Sequence, residues 1–342
     1  MQIIINIAVT VLVFGILILS HEAGHFFVAK ACKVKVNEFS IGMGPAIFKK
    51  QGKETLYSVR ALPIGGYVQM DGEDGGGQNP SSFNNKPYWQ RLLILAMGAI
   101  MNIFLGFVLI CIINSQTSLL PTNVIARFDD NAVSSQTGLK ENDKIVKINN
   151  YKIDNYIDLS YALTSNGTKP VDVTVVRDEK QQVINDVEFL VVDDEQMGEC
   201  FTIDFYVYGV KRSFLNSIKY SFDWTVSISK SIYSFFGSLF TGSADLNQVS
   251  GPVGTTTAIG SSLQYGLDSL LLMVALISIN LGIVNLLPFP ALDGGRIVLL
   301  AIEAIRRKPL NPKIETAINA VGLILLLTLM MLISFKDILK FF

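Results

Sequence analysis

Long stretches without charged residues constrain this chain more than any other feature of its sequence. A helix needs about 20 mostly apolar residues to cross the hydrocarbon of a bilayer, and four stretches of the chain meet that condition. Half of the 342 residues are hydrophobic and only 17% are charged, a balance that excludes a wholly soluble protein. The sequence therefore predicts a polytopic α-helical membrane protein with four transmembrane helices, over residues 1–32, 92–115, 268–300 and 316–336.

The basic residues of the loops predict how these helices are oriented. The segment from Lys30 to Arg91 holds nine basic and five acidic residues, and the connection from Arg296 to Lys313 holds five and one. Short loops rich in Lys and Arg stay in the cytoplasm, so both segments, including the loop over residues 33–91, are expected there. The stretch from Ser118 to Val210 has eight basic and sixteen acidic residues and is expected outside. The net charge of −1 provides no basic field for nucleic acid, so no such partner is expected.

Residues 120–206 are a polar insert between the second and third transmembrane segments. The run from Ala132 through Gly138-Leu139 to Ile145 resembles that of PDZ domains. It predicts an inserted, extracytoplasmic α+β PDZ-like domain, with a plain α+β domain lacking a peptide groove as the alternative. Alternating and β-branched residues predict its strands near 124–128, 144–148 and 171–176, a turn at Asn149-Asn150 and a short helix near 158–163.

Three connecting segments have patterns of their own. Residues 211–242 alternate aromatic and polar side chains and contain Lys219 and Lys230, which predicts an amphipathic helix at the outer membrane surface. A fifth transmembrane helix is the alternative for this segment. The glycine-rich run from Asp71 to Gly77 predicts a flexible cytoplasmic linker, and residues 250–254 predict a turn.

The two histidines of the chain carry its strongest chemical signal. His21 and His25 are four residues apart with Glu22 between them, an HExxH motif at the end of the first predicted helix. On a helix these imidazoles share one face and can bind one Zn²⁺, while Glu22 can reach a water on that ion. Two polar residues at the end of a membrane helix are the alternative, but burial in lipid would leave them without partners.

A catalytic zinc site takes a third protein ligand and keeps one position open for water. Asp293 is the candidate, because this acid ends an otherwise uncharged apolar run beside two prolines and two glycines. The first and third predicted helices both run inward, and about 22 and 23 residues of each precede His25 and Asp293. At about 1.5 Å per residue, the three side chains are expected at similar depth.

These motifs together resemble the site-2 protease family, most closely the bacterial intramembrane metalloproteases of the RseP type. The resemblance is carried by HEAGH at His21–His25, NLLPFPALDGG at Asn285–Gly295, the PDZ-like insert and the order of the four spans. It implies a zinc enzyme with His21, His25 and Asp293 as ligands and Glu22 as the catalytic base. It also implies that Asn285 holds substrate, with Asn280 as a weaker candidate.

Residues 57–70 are hydrophobic but too short to span, and Pro63, Gly65 and Gly66 interrupt them. They resemble the membrane-reentrant β-hairpin of the same family. The hairpin is expected to bind an extended substrate strand through Gly65, Gly66 and Tyr67. A soluble hairpin on the cytoplasmic face is the alternative.

The predicted function is that of a zinc-dependent intramembrane endopeptidase in the bacterial cytoplasmic membrane. The resemblance implies that it cuts the transmembrane segment of a previously trimmed single-span membrane protein, such as an anti-sigma factor or a remnant signal peptide. The alternative is a catalytically inactive membrane scaffold that binds partners through its PDZ-like domain. The sequence does not predict an oligomeric state.

Overall fold

The chain divides into two compact units. A computed structural model describes residues 2–73, 79–194, 198–242 and 249–339, so residues 74–77 of the predicted linker lie outside the described residues. Unit 1 comprises Met1–Leu109 and Ser250–Phe342, and unit 2 comprises Ile110–Val249. The predicted insert falls entirely within unit 2.

Unit 1 contains long apolar helices and one small sheet. Within the described residues its elements are α1 (Gln2–Ala31), β1 (Val36–Gln51), β2 (Leu56–Met70), α2 (Tyr88–Asn114, whose last residues belong to unit 2), α5 (Pro252–Gln264), α6 (Leu267–Asn285), α7 (Asp293–Arg306) and α8 (Pro312–Leu339). Four of them, α1, α2, α6 and α8, are long and apolar enough to cross a bilayer. Many of their leucines and isoleucines are exposed, as expected for side chains that face lipid. The chain is therefore a polytopic membrane protein.

The third predicted helix is divided in two. The sequence predicts one helix over residues 268–300, but α6 ends at Asn285 and α7 begins at Asp293. Pro288 and Pro290 cannot continue the hydrogen-bond ladder of a helix, and Ala291 takes a left-handed conformation with φ 73°. One continuous helix over residues 268–300, the premise for predicting the depth of Asp293, is therefore wrong, and Asp293 instead begins a second helix.

A further difference is that α5 begins at Pro252, inside the predicted turn over residues 250–254. Proline is well tolerated in the first turn of a helix, since its missing N–H would have no partner there. The start of α5 is fixed from a distant element, because Asp337 of α8 accepts hydrogen bonds from the backbone N–H groups of Gly251 and Gly254, both at 2.8 Å. Asp337 is more than 80 residues away in the chain, so the sequence around Pro252 does not predict this contact.

The sheet of unit 1 is larger than the predicted hairpin over residues 57–70. β1 and β2 are antiparallel, and residues 36–41 pair on both sides, with 66–70 along one edge and with 56–59 along the other. Residues 46–51 in turn pair with 56–60. The result is a sheet of four short segments in the order 46–51, 56–60, 36–41, 66–70. Among the described residues, segment 66–70 is therefore an edge strand.

Unit 2 contains the predicted α+β insert. Its elements are β3 (Leu119–Phe128), β4 (Lys144–Ile148), β5 (Tyr151–Lys152), α3 (Tyr156–Thr164), β6 (Val171–Arg177), β7 (Lys180–Val187), β8 (Leu190–Asp194), β9 (Gly198–Thr202), β10 (Phe205–Lys211) and α4 (Phe214–Thr241). The main sheet has the order β10-β3-β4-β6-β7, with β5 paired to β4. The strands and helix predicted for the insert are present, and Asn149-Asn150 connects β4 to β5 as a tight turn. Peptide binding by a PDZ-like groove stays a prediction.

Helix α4 packs one polar face on the rest of unit 2. Its Ser221 and Ser227 hydroxyls bind the side-chain amides of Asn114 at 3.0 Å and Asn155 at 2.6 Å. Another face leaves Phe222 59% exposed, with Phe214 and Val226 also exposed. At 28 residues α4 is long enough to span, but it is not among the four helices with sufficient apolar content.

Candidate metal centre

Three side chains that can bind a metal converge in unit 1. His21 and His25 lie one turn apart on α1, and Asp293 is the first residue of α7. The Oδ2 atom of Asp293 lies 3.1 Å from Nε2 of His21 and 3.4 Å from Nε2 of His25. The two Nε2 atoms are 3.2 Å apart. Two imidazoles and one carboxylate thus present donor atoms to a single point.

The donor set fits a zinc ion. Within the described residues, Asp293 Oδ2 is buried and has no hydrogen-bond partner, and a buried carboxylate oxygen is costly unless a cation compensates its charge. The donor atoms of the three residues all lie within 4.8 Å of one another. Two His and one Asp are ligands that zinc accepts, and three protein ligands leave a position for water or substrate.

Close backbone packing at the start of α7 places Asp293. A Cβ atom on Gly294 would lie 2.2 Å from the Leu287 carbonyl oxygen, and one on Gly295 would lie 2.3 Å from that of Phe289. The two glycines therefore let α7 begin directly against the turn that follows α6. This packing turns the first residue of α7 back towards the histidines.

Helix α2 fixes the orientation of His25. The Nδ1 atom of His25 lies 2.8 Å from the carbonyl oxygen of Ile94. A carbonyl can only accept, so Nδ1 carries the hydrogen and Nε2 keeps its lone pair for a metal. Gly98, one turn further along α2, allows the close approach, because a Cβ there would lie 2.3 Å from His25 Nε2.

The metal centre opens into a cavity of about 470 Å³. Glu22 lines it together with both histidines and Asp293, so the acid of the HExxH motif shares a space with the candidate metal ligands. The edge strand contributes Tyr67, Val68, Gln69 and Met70 to the same wall. The remaining lining residues are Glu73, Leu95 and Arg296, and Arg296 pairs with Glu73.

Some of the substrate-binding residues predicted from the sequence lie at this cavity and others do not. Tyr67 lines it, and a Cβ on Gly66 would lie 3.1 Å from Cγ of Glu22. Gly65 has φ 82° and lies within β2, directly before the edge segment 66–70. Asn285 is the half-buried last residue of α6 and Asn280 is exposed. Neither asparagine is among the described residues that line the cavity.

Four neighbours of the centre are missed by the sequence motifs. Ile94 acts through its backbone carbonyl, which no side-chain pattern reveals, and Gly98 is one of several glycines in apolar helices. Arg296 has a sequence signal, since it follows Asp293 by three residues and so lies on the same side of a helix, whereas Glu73 is brought to the site by its ion pair with Arg296.

Comparison with known proteins assigns the chain to a family. The model of peptidase family M50 matches residues 9–329. The chain belongs to peptidase family M50. The predicted resemblance to site-2 proteases is thereby confirmed, because M50 is the site-2 protease family. As an M50 member with a His, His and Asp donor set, the chain is a zinc metalloprotease of the site-2 type.

Individual relatives match this chain over almost its whole length. A putative zinc metalloprotease of Clostridium acetobutylicum is 37% identical and covers 97% of both chains. The regulator of sigma-W protease RasP of Bacillus subtilis and the probable protease eep of Enterococcus faecalis are each 31% identical, covering 97% of this chain and 98% of their own.

Proposed function

We propose that this chain is a zinc-dependent endopeptidase that cuts the transmembrane segment of a single-span membrane protein, after another protease has trimmed the outer part of that protein. The observation that carries the proposal is the shared cavity, in which Glu22 and the His21, His25 and Asp293 donors face one edge strand. The elements that supply these donors include a helix long enough to span a bilayer.

The proposed hydrolysis assigns a task to each residue. His21, His25 and Asp293 would hold the zinc ion, which when bound lowers the pKa of a water molecule and polarises the scissile carbonyl. Glu22 takes the proton of the attacking water and returns it to the leaving amine. The Ile94 carbonyl holds His25 in the tautomer and orientation that metal binding needs.

The edge strand provides a place for an extended substrate. Backbone groups along residues 66–70 have strand partners on one side, from residues 36–41. Helical peptide bonds are shielded by their own hydrogen bonds, so a substrate must unwind before attack, and an edge strand can then pair with it. We assign this role to Gly65, Gly66 and Tyr67, with Asn285 and Asn280 as further substrate-binding residues, and place the hairpin within the membrane as a reentrant element.

The setting that we propose is the bacterial cytoplasmic membrane, with unit 2 outside. The excess of acidic residues in the insert and of basic residues in the loop over residues 33–91 supports this orientation. The PDZ-like insert would then exclude substrates that retain an outer domain, and α4 would lie at the outer surface. The name of the relative RasP, a regulator of sigma-W protease, supports a substrate in regulated proteolysis, such as an anti-sigma factor.

The test is Glu22→Gln in the full-length chain, with a single-span reporter in vesicles. We expect cleavage to fall by at least about 100-fold, the contribution of a general base, while bound zinc stays at the wild-type level. Glu54→Gln is the matched control, because Glu54 is an exposed acid whose side chain pairs with Lys30, and it should cleave normally. Continued cleavage by Glu22→Gln would refute the mechanism, and failure of the wild type to cleave would favour the scaffold.

A further inference from the structure

Asn102 is a fully buried amide of α2 that lies next to the metal centre. Its Nδ2 atom is 3.4 Å from Nδ1 of His21, the ring nitrogen on the side away from Asp293. Its Oδ1 atom is buried and has no hydrogen-bond partner among the described residues. Its own backbone is held in place, because Ser278 of α6 donates a hydrogen bond to the Asn102 carbonyl at 2.7 Å.

The chemistry of His21 requires a partner at this position. For Nε2 to give its lone pair to an ion, the hydrogen of the neutral imidazole must be on Nδ1, which then needs an acceptor. His25 has such an acceptor in the Ile94 carbonyl. For His21, the polar side chain facing Nδ1 is the Asn102 amide.

An amide can meet this need by a small movement. The oxygen and nitrogen of an asparagine have nearly the same shape, and a half-turn about the Cβ–Cγ bond exchanges their positions. That half-turn presents the unpartnered Oδ1 to the Nδ1–H of His21. Ile94, Gly98 and Asn102 follow each other at intervals of four, so one face of α2 contacts both imidazoles.

We propose that Asn102 is a positioning residue that accepts a hydrogen bond from Nδ1 of His21 and thereby fixes this imidazole for zinc binding. The inference deepens the proposed function and rests on it for the role of the ion. It concerns assembly of the site rather than the hydrolytic step, so zinc affinity measured without substrate tests it separately from Glu22→Gln.

The experiment compares variants of the purified full-length chain by zinc competition with a chelator. Asn102→Leu keeps the approximate size but removes the acceptor, and we expect the dissociation constant for zinc to rise about 10- to 100-fold, as for other partners of metal-binding histidines. Asn102→Asp keeps an acceptor oxygen and should bind zinc within about threefold of the wild type. Asn114→Leu is the matched control, since Asn114 is a buried asparagine of the same helix that binds Ser221.

The comparison of the two Asn102 variants decides the outcome. Wild-type zinc affinity in a folded Asn102→Leu chain would overturn the proposal. So would a loss in folded Asn102→Asp as large as the loss in Asn102→Leu, because a residue needed only for packing does not distinguish an acceptor from an aliphatic group. If Asn102→Leu fails to fold by circular dichroism, near-normal zinc affinity of Asn102→Asp supports the proposal and a tenfold loss overturns it.

Discussion

Gly98 shows how one missing side chain makes room for the metal centre. A Cβ at this position would lie 2.3 Å from Nε2 and 2.7 Å from Cε1 of His25, and 2.8 Å from Cε1 of His21. These distances are far shorter than van der Waals contacts. His25 cannot easily move away, since the Ile94 carbonyl holds its other nitrogen.

Gly98→Ala should therefore disturb both histidine ligands at once. We expect zinc affinity to fall at least about tenfold, as when a partner of a metal ligand is lost, and reporter cleavage to fall with it. Zinc competition and cleavage in vesicles measure the two effects. Gly15→Ala is the control, because a Cβ at Gly15 meets no atom of the described residues within 4 Å. A Gly98→Ala chain with normal zinc affinity would show that the site adapts.

The proposed metal ligands illustrate what a sequence can reveal at the scale of residues. His21 and His25 are recognisable because the periodicity of their own helix brings them together. Asp293 can be predicted because an acid beside an apolar segment is rare and costly. Gly98 and Asn102 cannot be predicted in this way, because their importance depends on which face of α2 contacts α1, and that is a property of tertiary packing.

At the scale of elements, the predictions fail at the break between α6 and α7 and in the sheet of unit 1. Apolar composition predicts a helix over residues 268–300, but it does not show how Pro288 and Pro290 act together with the left-handed Ala291 to end one helix and begin another. Likewise, β1 pairs along both of its edges, although hydropathy indicates only one hairpin. The strand pairing depends on hydrogen bonds between residues that are distant in the chain, whereas the break between α6 and α7 depends on the backbone conformation of a few adjacent residues.

The position of α4 at the membrane can be tested with site-directed nitroxide labels. Phe222→Cys and Asn216→Cys place labels on an exposed apolar and an exposed polar position, about 120° apart around the helix, in a full-length chain whose three native cysteines are replaced by serine. An interfacial helix should give the label at 222 greater collision with oxygen, which enters lipid, and the label at 216 greater collision with a water-soluble nickel complex. Equal lipid exposure at both positions would indicate a fifth transmembrane helix.

At the scale of the whole molecule, the hydrophobic cores follow the division into two units. One cluster of buried residues, which includes Leu159, Ile145 and Phe189, lies entirely in unit 2. The clusters around Ile94 and Leu17 lie entirely in unit 1. The metal centre belongs to unit 1 alone. Stability of the insert and occupancy of the site therefore depend on different sets of contacts.

This division predicts that two perturbations act on different parts of the full-length chain. Leu159→Ala removes a fully buried side chain and should destabilise unit 2 by about 2–5 kcal/mol, with zinc affinity unchanged. Chelation of zinc removes the stabilisation that binding provides, about 4 kcal/mol when free zinc is 1,000 times the dissociation constant, and should increase hydrogen exchange in α1 and α7 but not in β4 or β6. Hydrogen exchange measured by mass spectrometry on each segment separates the two effects.

Leu190→Ala, at a partly exposed position of unit 2, is the control and should change exchange little. If Leu159→Ala weakened zinc binding as strongly as it loosened unit 2, the two units would be coupled in stability and the metal centre would depend on the insert.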